Sequence, residues 1–318
     1  MSRVVVGGAS GFLGRRLCED FRDEGLEVVT VGRSADSDVR WEDAAGLRAA
    51  VDGAELVVGL AGKSVNCRYT ARNRAALLES RISTTRALRE AIAAATAPPP
   101  LWLNASTATI YRHADDRAQT ESSGELGTEL FSEDLARAWE AELGAGKLPG
   151  TRRVALQITI VLGDGGALGP LARLSRLGLG GANHDGWWFP LPGRRAARTW
   201  LRPRTRGGAQ RFSWVHVDDV SGIVRHIRAH AEIVGPVILG TPTATDNHAF
   251  MATLRRAVGA RFGVPTPRWM LELGSFAMRT EAELVLKSRW VAPEVLLRTG
   301  YHFQFTDLEE AIRASLTR

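Results

Sequence analysis

Short apolar runs alternate with longer amphipathic stretches along the first half of the chain, and that alternation predicts strands and helices in turn. Arg3 to Gly8 contains Val4-Val5-Val6, apolar without a break, as a strand covered on both faces of a parallel sheet requires. A glycine turn follows, then a helix from about Phe12 to Glu24, with Gly25 as its stop. Further strands are expected over Glu27 to Val31, Glu55 to Leu60, Leu101 to Ser106 and Arg153 to Leu162. Between them, Thr70 to Ala95 reads as a long helix ended by Pro98-Pro99-Pro100. Thr128 to Leu143 reads as an amphipathic helix with Leu130, Phe131, Leu135, Trp139 and Leu143 on one stripe. This succession predicts an α/β protein: a Rossmann doubly wound parallel sheet with a smaller C-terminal α/β substrate domain.

The pattern changes after Leu162. Residues 163–211 are rich in Gly, Arg and Trp, and 182–210 show no clean period, which points to a mobile surface insert. Phe212 to Val217 reads as a strand and Asp218 to His230 as a helix capped by Asp218. From about Gly240 onward, short helices and Pro-linked turns follow. The expected division is therefore residues 1–162 plus about 212–240 as a cofactor domain, and 163–211 plus about 241–318 as a substrate domain.

Composition narrows the function classes. Formal net charge is +6, but of the 41 lysines and arginines only Lys63, Lys147 and Lys287 are lysines, and the arginines are spread over the whole chain. A solvated arginine-rich surface accounts for this better than a nucleic-acid stripe. No run of ~18 apolar residues is present, so no membrane span is expected. The start, Met1-Ser2-Arg3 running straight into valines, has no signal-peptide pattern, and the two cysteines, Cys18 and Cys67, form no Cys-x-x-Cys pair. A cytoplasmic location fits these features, and no metal site is expected.

The chemistry starts at Gly8-Ala9-Ser10-Gly11-Phe12-Leu13-Gly14, a Gly-x-x-Gly-x-x-Gly run that leaves a strand and opens a helix. In that context Gly8 permits the tight turn, Gly11 lets the backbone approach a pyrophosphate, and Gly14 allows close helix packing. The free N–H groups at the helix start then face the phosphates. At the end of the second strand, where an acid would hold the ribose 2′-hydroxyl of NAD, the chain has Gly32-Arg33-Ser34. Arg33, with Arg15 as a second charge, suits a 2′-phosphate, so NADP(H) is the expected cofactor.

Leu60-Ala61-Gly62, Asn104-Ala105-Ser106-Thr107 through Tyr111, and Ser213-Trp214-Val215-His216-Val217-Asp218-Asp219-Val220 resemble segments of the extended short-chain dehydrogenase/reductase superfamily. Ser80-Arg81 with Thr85, Arg176 to Gly181, and the tail from Glu283-Leu284-Val285-Leu286 through Pro293 to Gly300-Tyr301-His302-Phe303 resemble one subgroup. That subgroup is the atypical epimerase family proteins with a C-terminal domain of unknown function. The resemblance implies the extended fold, NADP(H) binding, Leu60, Ala61 and Gly62 lying along the cofactor, and a monomer or homodimer. It departs at Gln157-Ile158-Thr159, where the subgroup carries Arg-Thr-Gly, and in the length of the insert at about 182–206.

Ordinary members of the superfamily use Tyr-x-x-x-Lys, whose lysine lowers the tyrosine pKa. Four residues beyond Tyr69, Tyr111 and Tyr301 stand Asn73, Asp115 and Phe305, so this chain has no such pair. Ser106, Thr107 and Tyr111 are the candidates left at the expected site, with Thr107 placed by the resemblance to meet a substrate oxygen. His113 is a possible proton relay, Glu133 and Asp134 are possible bases, and His216 with Asp218 and Asp219 forms a weaker constellation. The leading expectation is an oxidoreductase acting on an unknown small carbonyl or hydroxyl compound, bound between the strand ends and the second domain. The alternative is a non-catalytic NADP(H)-binding sensor or scaffold. Nucleic-acid binding through the arginine-rich insert is a third and weaker expectation.

Overall fold

The computed structural model describes residues 2–166 and 168–316. Seven strands form one all-parallel sheet: β1 (Arg3–Gly7), β2 (Glu27–Gly32), β3 (Val39–Arg40), β4 (Leu56–Gly59), β5 (Leu101–Thr107), β6 (Arg152–Ile158) and a last strand, Gly235–Leu239. Their spatial order starts with that last strand and continues β6-β5-β4-β1-β2-β3. The order reverses beside β1, and in open α/β sheets ligands bind at such a reversal, outside the strand C-terminal ends.

The helices explain why these strands are apolar on both faces. On one side lie α1 (Phe12–Asp23) and the Val217–Ala229 helix, joined by Val295 and Leu296 from the C-terminal region. On the other lie α2 (Ala44–Val51), α3 (Ala71–Ala94) and α4 (Phe131–Gly144). Val4 and Val6 face the first layer and Val5 the second, all fully buried. The two-residue strand β3 and α2, between the second and fourth strands, lack enough period to be read from the sequence.

The expected Arg153–Leu162 strand is divided. At Thr159 both the backbone N–H and the hydroxyl donate to Leu239 O (3.1 and 2.6 Å). The chain then leaves the main sheet, and Ile160–Leu162 pairs in parallel with Trp214–His216. One face of that pair, Leu162 and Trp214, builds a separate core with Phe212, Phe250, Leu254 and Ile312, while Val215 stays in the main core. A second correction concerns the next helix: His216, not Asp218, is its N-cap, with Nδ1 accepting from Asp218 N (3.3 Å). Asp218 instead pairs with Arg16 (2.7 Å).

The expected mobile insert is packed against the C-terminal region. Asn183–His184 pairs in parallel with Thr266–Pro267. Arg194 bridges Glu272 and Glu281 (2.7 and 2.9 Å), and the buried Arg268 joins Asp185 and Glu272 (2.6 and 2.8 Å). Except for Arg268–Glu272, within one helix turn, these partners lie over 70 residues apart in sequence, so no local period could announce them. Among the described residues no helix is long and apolar enough to cross a membrane.

Candidate functional site

The turn between β1 and α1 is shaped by two glycines. Gly8 has φ of +83°, and a Cβ there would lie 2.8 Å from Ala61 N. A Cβ on Gly14 would lie 2.3 Å from Gly8 O. Any side chain at either position would fill the cradle or push α1 away. Gly11 is the N-cap of α1 and no side chain caps that helix. The first-turn N–H groups, including those of Phe12 and Leu13, therefore face the exposed Ser10-Gly11 bend with the positive end of the helix dipole behind them. The Phe12 ring is committed elsewhere, beneath the Gly163–Gly166 loop, where a Cβ on Gly163 would meet it at 2.9 Å. This turn suits a pyrophosphate, and a nicotinamide dinucleotide fits the donor set.

Leu60, Ala61 and Gly62 continue from β4 directly beside this turn, with Leu60 N donating to Gly7 O (2.8 Å). Arg33 and Ser34 follow β2 and are exposed. Asp38, an acid in the same loop, is drawn back onto Thr30: its carboxylate accepts from Thr30 N and Oγ1 (2.8 and 2.7 Å). Those hydrogen bonds hold its carboxyl below the usual range. Arg15 is exposed and donates to Ser10 O.

At the C-terminal end of β5 the three candidate hydroxyls have different fates. Thr107 is half-buried; its Oγ1 accepts from Thr109 N (3.2 Å), and its proton has no acceptor among the described residues. Ser106 is buried and donates to Glu140 Oε1 (2.5 Å). Glu140 also accepts from Gln157 Nε2 (3.0 Å), and the Tyr111 hydroxyl donates to Gln157 Oε1 (2.8 Å). Burial pushes both the Glu140 carboxyl and the Tyr111 phenol upward. Ser106 and Tyr111 thus act on α4 and β6. In this arrangement the donors of both hydroxyls are already used inside the fold, unlike that of Thr107.

The remaining candidates are also committed. His113 is buried; Ser288 N donates to its Nδ1 (3.2 Å), so Nε2 carries the proton and donates to Thr205 Oγ1 (3.1 Å). Burial, and after it the Arg204 charge, pushes this imidazole down to about 4. It is neutral and closed to proton relay. Glu133 is buried against Lys287 (2.7 Å) and accepts from Glu129 N and Leu130 N. Asp134 pairs with Arg137 and Arg198. Asp219 accepts from Gln304 N, Phe305 N and the Tyr301 hydroxyl, which ties the C-terminal tail to the Val217–Ala229 helix.

Lys287 is the residue that sequence reasoning passed over. All three of its N–H bonds are used, on Thr109 O, Tyr111 O and Glu133 Oε1 (2.8, 2.8 and 2.7 Å). It fixes the turn after Thr107 to the start of α4. Arg289 adds a bond from Nε to Thr109 Oγ1 (3.0 Å). The only signal was the position of Lys287 just after the Glu283–Leu286 motif, which carries no geometry.

Residues 4–130 match the NAD dependent epimerase/dehydratase family, and residues 266–315 match a domain of unknown function, DUF1731. The chain is 30% identical to the epimerase family protein SDR39U1 of Bos taurus and 29% identical to that of Homo sapiens, with 98% of both chains covered in each case. A crystal structure of the human epimerase family protein SDR39U1 (isoform 2) with NADPH superposes with a TM-score of 0.84 at 28% identity, covering 99% of both chains.

Proposed function

This chain belongs to the NAD-dependent epimerase/dehydratase family, and from that premise we propose that it is an NADP(H)-dependent oxidoreductase acting on a small carbonyl or hydroxyl compound. The observation that carries the reading is the unspent proton of Thr107, at the same C-terminal end of the sheet as the glycine turn and two strands from it. Gly8, Ser10, Gly11, Phe12, Leu13 and Gly14 would hold the pyrophosphate through their backbone. Leu60, Ala61 and Gly62 would flank the dinucleotide. Arg33 and Ser34 would take the 2′-phosphate; Asp38, turned back onto Thr30, leaves that position to the arginine. NADPH bound to the human relative supports this preference. A bound nicotinamide supplies the hydride. The Thr107 hydroxyl donates to the substrate oxygen and steadies charge that develops there. Ser106, Glu140, Gln157 and Tyr111 hold the strand end and α4 in register around it.

The cofactor half of the fold comprises residues 1–162 and about 212–240, and the substrate half comprises 163–211 and about 241–318. The return of the chain to the main sheet at Gly235–Leu239 supports that division, while Ile160–Leu162 and Trp214–His216 form a seam whose Leu162 and Trp214 pack with Phe250 and Ile312.

A second reading, a non-catalytic NADP(H)-binding sensor or scaffold, is favoured by the engagement of Tyr111 and His113, which leaves Thr107 without a neighbouring acid. One experiment separates the two. Energy transfer from the protein's tryptophans to NADPH and NADH is titrated for wild type and Arg33→Ala, followed by a carbonyl screen with wild type and Thr107→Val. Tighter NADPH binding, its preference reduced about tenfold or more in Arg33→Ala, and NADPH consumption lost in Thr107→Val are expected. Tight binding with no turnover on any carbonyl selects the sensor. Equal affinity for NADH and NADPH removes the Arg33 assignment.

A further inference from the structure

Among the described residues, two arginines are more than nine-tenths buried: Arg268, 3% exposed, and Arg81, 8% exposed. Burial of a guanidinium is costly unless it is paired, which is why buried arginines normally face carboxylates. Arg268 obeys that rule with Asp185 and Glu272. Arg81 does not. It donates once, from Nη1 to Leu77 O of its own helix (3.1 Å), and its Cζ sits 4.9 Å from the centre of the Trp139 ring. It forms no ion pair among the described residues. The titratable groups that face it are the Tyr69 phenol and the Cys67 thiol, both pushed up by burial and so uncharged at neutral pH. The same burial, with nothing to neutralise it, pulls the guanidinium down to about 10.

The position of this cation gives it a use. A Cβ on Gly62 would lie 3.2 Å from Arg81 Cζ, so the guanidinium sits directly against the Leu60-Ala61-Gly62 segment. Gly59 of β4 pairs with Asn104 of β5. Gly62 and Thr107 each stand three residues beyond that pair, Gly62 in the segment that leaves β4 and Thr107 at the end of β5, at the same C-terminal end of the sheet. Lys63 follows Gly62, its N–H bonded to Ser80 Oγ (3.0 Å) on the helix of Arg81, and its ammonium forms no ion pair among the described residues.

Resting on the oxidoreductase reading, we propose that Arg81, with Lys63 at its rim, is an anion subsite of the substrate pocket. The compound turned over carries a carboxylate or phosphate group, which Arg81 grips while Thr107 meets the reacting oxygen. A planar, bidentate donor is suited to either oxyanion. Trp139 holds the empty guanidinium in place, and the arriving anion supplies the missing counter-charge.

The test is calorimetric titration of the full chain, saturated with NADPH at low ionic strength, with inorganic phosphate and with acetate. Thermal unfolding and NADPH affinity are measured on the same samples. Wild type is expected to bind at least one anion saturably and to unfold at a higher temperature in its presence. Arg81→Met is expected to weaken that binding at least tenfold, Lys63→Ala about threefold. Without anion, Arg81→Met is expected to unfold no lower than wild type, because an uncompensated buried charge has been removed. NADPH affinity is expected to stay within twofold. Anion binding that persists in Arg81→Met overturns the proposal. So does an Arg81→Met protein that unfolds several degrees lower while wild type ignores both anions, since Arg81 would then be a structural cation. A tenfold loss of NADPH affinity, with no anion bound to the loaded wild type, would assign Arg81 to a cofactor phosphate and overturn the substrate subsite. Failure of NADPH itself to bind wild type would sink the oxidoreductase reading, and the comparison of wild type with Arg81→Met in phosphate would still read the subsite on the unloaded chain.

Discussion

His113 shows how a residue with reactive chemistry becomes structural. Burial disfavours its charged form, Arg204 and Lys287 nearby add positive charge that outweighs Asp115 and Asp185, and Ser288 N and Thr205 Oγ1 use both ring nitrogens. The imidazole therefore takes up a proton in the unfolded chain near 6.5 but in the folded chain only at about 4. Between those values the unfolded state binds more protons, so stability falls as pH falls. The loss reaches up to about 3 kcal/mol at the acid end of the window. Raised carboxyls such as Glu121, Glu140, Asp219 and Glu281 act in the opposite direction. The wild-type slope alone is therefore mixed, and the comparison with His113→Asn isolates the histidine. Urea unfolding at pH 7.5 and pH 5 should show wild type losing more stability than the variant. Equal losses would mean that the ring is protonated in the fold. Thr107 is the contrasting case: one short side chain, one bond accepted, one proton left over.

At the scale of elements, the β1–α1 turn depends on the absence of two Cβ atoms. Gly14 has ordinary helical surroundings except that a methyl would overlap Gly8 O at 2.3 Å, which backbone on both sides cannot relieve. Gly14→Ala should cost about 1–3 kcal/mol and, by moving the α1 N–H groups, weaken dinucleotide binding at least tenfold. Calorimetry with NADPH reads both effects, and an unchanged affinity would detach the turn from cofactor binding. This part of the molecule was legible in the sequence because strand, turn and helix are local, and valine runs and glycine spacing encode them directly. The extent of α3 and the end of α4 were legible for the same reason, through Pro98 and the Leu130-to-Leu143 stripe, while α4 starts at Phe131, three residues after the expected Thr128. What was not legible depends on partners distant in sequence. Thr159 divides the expected Arg153–Leu162 strand because Leu239 O, 80 residues later, takes its N–H and hydroxyl. The insert lacks any period, and its Arg194 and Asp185 are ordered by Glu272, Glu281 and Arg268 from across the fold. At the candidate site, the hydroxyls at 106, 107 and 111 were found by position. Which of them is free depended on Glu140 and Gln157.

The whole molecule is joined around its C-terminal fifty residues. Lys287 bonds the carbonyls of Thr109 and Tyr111 and neutralises Glu133; Ala292 N donates to Gln119 O; and Leu296 lies in the main core with Val4, Val6 and Leu103. Gln304 and Phe305 dock on Asp219, at the first turn of the helix that covers β1, and the Leu308–Leu316 helix follows against the separate core. The family match that begins at residue 266 is thus a sequence boundary that the packing does not respect. Removing residues 266–318 would leave Glu133 a buried carboxylate without its cation, a loss of about 3–5 kcal/mol by itself, and would uncover apolar surface on the main sheet's helix layer. That exceeds a large share of the 5–15 kcal/mol that stabilises a typical domain. A chain ending at residue 265 should therefore show no cooperative unfolding transition and no NADPH-dependent stabilisation. The full chain should unfold in one transition that NADPH raises. If the shortened chain melted cooperatively and bound NADPH, the cofactor half would be autonomous, and Lys287 would act on the Thr107 turn alone. A shortened chain that fails, rescued by adding residues 266–318 as a separate peptide, would show that the tail acts through its contacts and not through its covalent connection.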